Sequence, residues 1–142
     1  MKRKEKVNMK RLTALLLTAV LALSLVACGG NKEYSEEKKE DLTEEAEVLD
    51  WSKAYDEYLE NAARAEQNYD GKLVQWTGTV TKIEETSCQM TNEWHNGLPL
   101  NAIDVLMSQD DLASLNRGDE ITIIGTMDIG SFTYIYDAFI VE

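Results

Sequence analysis

The stretch KLVQWTGTVTKIEET, residues 72–86, decides the fold of this 142-residue chain. It is rich in β-branched and aromatic residues, and its apolar positions lack helical spacing. Val74, Trp76 and Val80 alternate with polar residues, which predicts one long strand with one buried face. Gly78 in the middle predicts a bulge or a sharp bend. A long strand that bends is what the closure of a small barrel requires.

Four further strands are predicted downstream of this one, over residues 88–94, 100–108, 120–130 and 132–142. Asn96-Gly97 lies between the first two of them and is a strong hairpin signal. Residues 109–119 are predicted to contain one short helix that Gly118 closes. The chain from residue 72 onward is therefore mainly β-structure.

An aromatic stripe upstream predicts a helix over residues 51–69. Its members recur at spacings of three and four, as one helix face does, and they are Trp51, Tyr55, Tyr58, Ala62, Ala65 and Tyr69. Asp50 precedes the stripe as a candidate N-cap. Glu60 and Arg64 are four residues apart, where opposite charges stabilise a helix. We expect the stripe to pack into the core.

The order of these elements defines the fold class. One N-terminal helix is followed by three strands, a short helix and two strands. This is the order of the OB-fold, a five-stranded Greek-key β-barrel with a short helix between strands three and four. The sequence thus predicts a mostly β protein with one N-terminal helix.

Three segments carry a resemblance to a known family: NAARAEQNYDGKLVQWTGTVTKIE at 61–84, LASLNRGDEITIIGTM at 112–127 and IYDAFIVE at 135–142. They resemble the OB-fold lipoproteins described as tRNA-anticodon-like. The positions that match that pattern are Asn61, Ala65, Tyr69, Gly71, Lys72, Gly78, Val80, Leu115, Gly118 and Asp119. The resemblance covers residues 51–142 and implies an OB-fold in an exported protein. Its motifs are turn and core positions, and none is catalytic.

The N-terminus predicts export and a lipid anchor. A basic start precedes an uncharged apolar run over residues 12–27, which is shorter than the roughly 20 residues of a membrane-spanning helix. Leu25, Val26 and Ala27 lead directly into Cys28, as in the lipobox of bacterial lipoproteins. In proteins with that motif the cysteine receives a diacylglyceryl group and becomes the first mature residue. The alternative is an uncleaved anchor helix with an incidental cysteine.

The predicted organisation has three parts. Residues 1–27 are a lipoprotein signal peptide, residues 28–50 a lipid anchor and acidic flexible linker, and residues 51–142 the helix and the OB-fold. The linker has almost no large apolar residue before Val48, so its composition predicts an extended tether with at most a transient helix after Asp41. The location that follows is the extracytoplasmic face of the cell membrane.

Composition argues against several partners and chemistries. Residues 51–142 hold five basic and sixteen acidic side chains, a net charge of −11, which disfavours nucleic acid because binding requires cations against phosphates. His95 is the one histidine, so no clustered histidine metal site is expected. Cys88 is the one thiol besides Cys28 and is expected to be a small buried residue. No catalytic motif or cofactor site is recognised, and we do not expect an enzyme.

The predicted function is a binding or interaction module. OB-folds bind ligands on the outer face of strands two and three and on adjoining loops. In this region the candidate binding residues are Asn92, Trp94, His95, Asn96 and Asp104. The membrane is an expected partner through the lipid on Cys28, and an envelope protein or a glycan is the candidate ligand. Alternatives left open are a nucleic-acid-binding or oligosaccharide-binding OB domain, an enzyme, and a Trp94 that packs against the N-terminal helix.

Overall fold

The computed structural model describes residues 32–130 and 133–141. The predicted signal peptide, the predicted lipidation site Cys28 and residues 29–31 lie outside the described residues. Residues 131, 132 and 142 lie outside them as well. From Lys32 onward the chain belongs to one compact unit, Asn31–Glu142.

The described chain alternates short helices with strands. Helix α1 spans Glu36–Glu45, strand β1 Glu47–Val48, helix α2 Trp51–Glu60 and helix α3 Ala62–Tyr69. Strand β2 spans Leu73–Ile83, β3 Ser87–Thr91, β4 Glu93–His95, β5 Leu98–Leu100 and β6 Ile103–Met107. Helix α4 spans Gln109–Ser114, and strands β7 and β8 span Glu120–Asp128 and Tyr134–Val141.

Five of these strands form a closed barrel. Their order around it is β2, β3, β6, β8, β7, and β7 pairs back onto β2. Strands β6 and β8 run parallel, and the other barrel neighbours run antiparallel. Helix α4 joins the third and fourth barrel strands, as the sequence predicts. The protein is thus mostly β, with a closed five-stranded barrel of the kind expected for an OB-fold.

The long first barrel strand has its predicted buried face, but its register irregularity does not lie at Gly78. Val74, Trp76 and Val80 are at most 3% exposed. The register with β3 shifts between Val80 and Lys82, not at Gly78. Gly78 instead permits a close approach of two strands, since a Cβ there would lie 3.1 Å from the Thr91 carbonyl oxygen.

The barrel interior is filled by apolar side chains from all five strands. Those with no exposed surface are Cys88, Met90, Ile103, Val105, Met107, Ile123, Met127 and Ile135. Trp51 and Ala54 of α2 and Ala65 of α3 join the same core. The helices before the barrel therefore belong to the folded domain.

The predicted single N-terminal helix is wrong, because two helices occupy residues 51–69. The chain leaves helical geometry at Asn61, where φ is −157°. The Asn61 side chain accepts a hydrogen bond from the Arg64 amide over 3.1 Å and so caps the second helix. The predicted stripe is buried at Trp51 and Ala65, but Ala62 is exposed.

The flexible linker predicted over residues 28–50 also differs from the structure, which describes it from Lys32. Helix α1 forms there, and β1 pairs in parallel with the start of β2. Leu49 enters the core at 7% exposure. The Tyr34 ring packs edge-on against Phe139, with the ring centroids 5.6 Å apart. Leu49 and Tyr34 thus attach this segment to the barrel. The polar composition of the segment as a whole does not predict these two contacts.

Candidate functional site

The predicted second and third strands are each divided, and the inner parts form a separate hairpin. Strands β4 and β5 pair only with each other in the sheet order of the described residues. Asn96 and Gly97 connect them with φ angles of 50° and 77°. Positive φ at both central residues is the type I′ geometry that fits the twist of a two-residue hairpin. The Asn96-Gly97 hairpin prediction is confirmed. We call residues 92–101 the tryptophan hairpin.

The tryptophan hairpin exposes large apolar side chains. Trp94 is 50% exposed, Leu98 67% and Leu100 42%. Trp94 pairs in register with Pro99. Trp94 lies on one face of the hairpin and the two leucines on the other, so both faces expose apolar surface. Aromatic residues contribute much of the binding energy at interfaces, which makes the Trp94 face the candidate contact surface.

A network of hydrogen bonds fixes the base of the hairpin to the domain. The Asn101 side-chain amide donates to Glu93 Oε2 over 2.8 Å, and the Ser52 hydroxyl donates to Glu93 Oε1. The Glu93 amide donates to Thr91 Oγ1 over 3.1 Å. The buried Trp51 donates to the Asn101 carbonyl oxygen over 2.7 Å. Helix α2 thereby holds the hairpin in one position.

The five predicted binding residues fall into two places. Asn92, Trp94, His95 and Asn96 all lie on the hairpin and are exposed. Asp104 lies on β6 in the barrel wall, where it pairs with Gln89 on one side and Tyr134 on the other. Ile103 and Val105 beside it point into the core, so Asp104 belongs to the outer face.

Sequence reasoning overlooked several residues near these positions. Leu98 and Leu100 are exposed on the face of the hairpin opposite the Trp94–Pro99 pair, and their alternation around Pro99 is the signal that could have revealed a short strand. Tyr134 and Tyr136 alternate on β8 around the buried Ile135. Their ring centroids are 6.2 Å apart. These tyrosines lie beside Asp104, which the sequence order alone does not show.

Cys88 is poorly suited to nucleophilic chemistry. Its side chain is fully buried in the barrel, whereas His95 is exposed on the hairpin. Burial, with a smaller contribution from the Asp104 carboxylate, raises the pKa of the Cys88 thiol from 9.0 to about 11. A thiol with this pKa is protonated at neutral pH, and the thiolate is the reactive species.

Two other features are absent from residues 32–130 and 133–141. This part of the chain has no group of three or more His, Cys, Asp or Glu side chains arranged to hold a metal ion. None of its helices combines the length and the apolar character needed to cross a membrane. The predicted apolar run at residues 12–27 lies outside this part of the chain.

The strand order and closure of the barrel place the protein in the class of OB-fold proteins. The chain belongs to the tRNA_anti-like family, whose model matches residues 1–136. This confirms the resemblance recognised in the sequence.

A solved structure supports the same fold. The chain is similar to a "putative nucleic acid-binding lipoprotein" from Klebsiella pneumoniae subsp. pneumoniae, with a TM-score of 0.56 and 14% identity. The match covers 78% of this chain and 100% of the other. At this identity the likeness bears on the fold alone. No curated protein sequence matches the chain significantly.

Proposed function

We propose that the protein is an exported lipoprotein whose OB-fold domain, a Greek-key barrel with preceding helices, is a binding module. A diacylglyceryl group on Cys28 holds it at the extracytoplasmic face of the cell membrane. Residues 1–27 are the signal peptide, and the segment 28–50 begins at the anchor and continues into α1 and β1. The name of the Klebsiella neighbour includes the word lipoprotein, and this supports the envelope location.

One observation carries the binding role: Trp94 is half exposed on a hairpin whose base is fixed. Exposing a tryptophan costs free energy unless a ligand or partner covers it. Because Glu93 and Asn101 hold the hairpin base, a ligand that binds there orders few additional groups. A preorganised surface loses less entropy on binding and therefore binds more tightly. The ligand is an envelope protein or a glycan that packs on Trp94 and meets the amides of Asn92 and Asn96.

A nucleic acid is the second candidate ligand, because the Klebsiella neighbour carries nucleic-acid binding in its name. The charge of this chain weighs against it. Single strands bind in basic grooves lined with stacking aromatics. Residues 51–142 have a net charge of −11. Three of their five basic side chains, Arg64, Lys72 and Lys82, are paired with glutamates.

The test uses the chain from residue 28 with Cys28→Ser, screened by thermal denaturation. The additives are neutral glycans, peptidoglycan fragments, divalent cations and oligonucleotides. A ligand that binds only the folded state adds about 2.7 kcal/mol at one hundred times its dissociation constant. For a domain of this size that raises Tm by several degrees.

Two variants connect any shift to the hairpin. Trp94→Ala should abolish the shift in Tm. Leu59 is an exposed apolar residue outside the hairpin, on helix α2, and Leu59→Ser should leave the shift unchanged. A glycan shift that survives Trp94→Ala would remove the hairpin from the proposal. A shift with oligonucleotides alone would replace the proposal with nucleic-acid binding. If no additive shifts Tm, a pull-down from envelope extract with Trp94→Ala as control decides whether the ligand is a protein, and equal capture by both forms would overturn the proposal.

A further inference from the structure

A second surface lies on the outer wall of the barrel, across β3, β6, β8 and β7. It is formed by Gln89, Asp104, Tyr134, Tyr136 and Asp128, and we call it the tyrosine–aspartate face. The two tyrosine rings are partly exposed and tilted by 59° to each other. Strand register places Tyr134 between Asp104 on β6 and Asp128 on β7. An aromatic surface thus has a carboxylate on each side.

The two carboxylates are placed differently. Asp128 pairs in register with Tyr134, and its carboxylate raises the pKa of that tyrosine. Asp104 has an unpaired carboxylate oxygen. Its Oδ1 is enclosed and has no hydrogen-bond partner among the described residues. An unpaired buried acceptor is costly, so Asp104 favours a ligand that brings a donor. Rotation about χ2 of an aspartate is soft and can turn this oxygen toward one.

The charges around this face select the ligand. The nearby lysines are already occupied, Lys82 by Glu84 and Lys32 by Asp137. The field of a domain with a net charge of −11 attracts cations and repels phosphates. Tyrosine faces attract ammonium and guanidinium groups, and the attraction grows when carboxylates lie next to the ring.

We propose that the tyrosine–aspartate face binds a basic peptide segment of a partner protein. One Lys or Arg side chain packs on Tyr134 and Tyr136 and donates to Asp104. Adjacent strands are about 4.8 Å apart, so Asp104 and Asp128 lie roughly 10 Å from each other across β8. A polyproline II segment presents side chains three residues apart on the same side over roughly 9 Å, and a second cation therefore reaches Asp128. The inference rests on the proposed binding role and adds the chemistry of a partner.

The experiment measures binding of a fluorescein-labelled hexa-arginine peptide to the chain from residue 28 with Cys28→Ser, by fluorescence polarisation. A labelled hexaglutamate peptide is the negative probe. We expect hexa-arginine alone to bind, with affinity falling as salt rises. The double variant Tyr134→Ala/Tyr136→Ala keeps the net charge and should weaken binding at least tenfold. Tyr134→Phe keeps the ring, so it should stay within threefold of the parent. Thermal denaturation confirms that each variant is folded, and Tyr136→Ala alone replaces the double variant if that one is not.

A matched pair of charge variants separates a site from diffuse attraction. Asp104→Asn and Glu120→Gln each remove one negative charge, and Glu120 is exposed at the start of β7, eight residues before Asp128. Asp104→Asn should weaken binding severalfold, and Glu120→Gln should change it little. Equal losses in these two charge variants, unchanged binding in the tyrosine-to-alanine variant, or no binding of hexa-arginine would each overturn the proposal. Trp94→Ala is measured alongside and should bind hexa-arginine normally. If the tyrosine–aspartate face does not bind hexa-arginine, a ligand found for the tryptophan hairpin still stands. If no ligand is found for the tryptophan hairpin, binding at the tyrosine–aspartate face can still be measured.

Discussion

The indole Nε1 of Trp51 donates a hydrogen bond to the Asn101 carbonyl oxygen over 2.7 Å, although fifty positions separate the two residues in the chain. Trp51 is the first residue of α2 and is 3% exposed. Asn101 lies at the base of the tryptophan hairpin with φ at 48°. This hydrogen bond and the one from Ser52 to Glu93 join the helical part of the domain to the exposed hairpin.

Replacing Trp51 by Phe should loosen this connection. The ring still packs, but the Asn101 carbonyl loses its donor and the smaller side chain leaves space in the core. We expect a loss of about 1–2 kcal/mol in the free energy of unfolding. Amide hydrogen exchange in residues 92–101 should accelerate more than exchange in the barrel strands. Trp94→Phe is the control and should change stability by less than about 0.5 kcal/mol, since Trp94 is exposed. Unaltered hairpin exchange in Trp51→Phe would show that other contacts hold the base.

Gly125 should not tolerate a side chain. Two residues of β8, Asp137 and Ala138, face Gly125, because the register shifts there. A Cβ on Gly125 would lie 2.5 Å from Ile135 Cγ2 and 3.0 Å from the Ala138 Cβ. Gly125→Ala should therefore destabilise the domain by about 1–3 kcal/mol, measured by urea unfolding.

Gly130→Ala is the matched control for this substitution. A Cβ there would meet Asp128 Oδ1 at 3.6 Å, an ordinary contact. We expect little change in the urea midpoint. Equal effects of the two substitutions would contradict the crowding inferred at Gly125.

Cys88 should be protected from thiol reagents while the domain is folded. With Cys28→Ser it is the one thiol in the chain, so the reaction with a disulfide reagent reports on it alone. We expect the folded protein to react at least about 100-fold more slowly than the urea-unfolded protein, because reaction requires opening of the barrel. A folded-state rate close to the unfolded rate would contradict its burial.

The raised pKa of Cys88 also predicts a pH dependence of stability. The thiol ionises at lower pH in the unfolded chain than in the folded one, where the pKa is about 11. Its contribution to stability is therefore complete below pH 9 and is lost as pH rises toward 11. Urea unfolding at pH 8 and pH 10.5 should show a larger decline for the parent than for Cys88→Ala, which lacks the titrating group. Equal declines would show that folding does not alter this pKa.

Membrane anchoring through Cys28 predicts a specific loss in the full chain. Cys28→Ser should abolish incorporation of labelled palmitate and shift the protein out of the fraction held by lipid, since two acyl chains are needed for stable anchoring. Cys88→Ala removes the other cysteine and should retain the label. A Cys28→Ser protein that stays labelled would place the lipid elsewhere in the chain.

Several elements could be predicted from local patterns because their causes are local. The buried face of β2 follows from period-two alternation, the hairpin turn from Asn96-Gly97, and the start of α2 from the Asp50 cap, whose side chain accepts from the Lys53 amide. The Glu60–Arg64 pair forms at 3.0 Å as expected from its spacing. The break at Asn61 was missed because apolar periodicity continues through it. The capping preference of Asn was the available signal.

The sequence by itself determined the order of the five barrel strands along the chain, the hairpin turn residues and the excess of negative charge, since these depend on neighbouring residues and composition. Trp51 and Trp76 lie in the core as their spacing predicts, whereas only the tertiary structure decided that Trp94 is exposed. The tertiary structure also placed Tyr34 on Phe139 and Tyr134 between Asp104 and Asp128. These relationships depend on barrel closure and strand register, which bring distant positions together, and no local pattern encodes them.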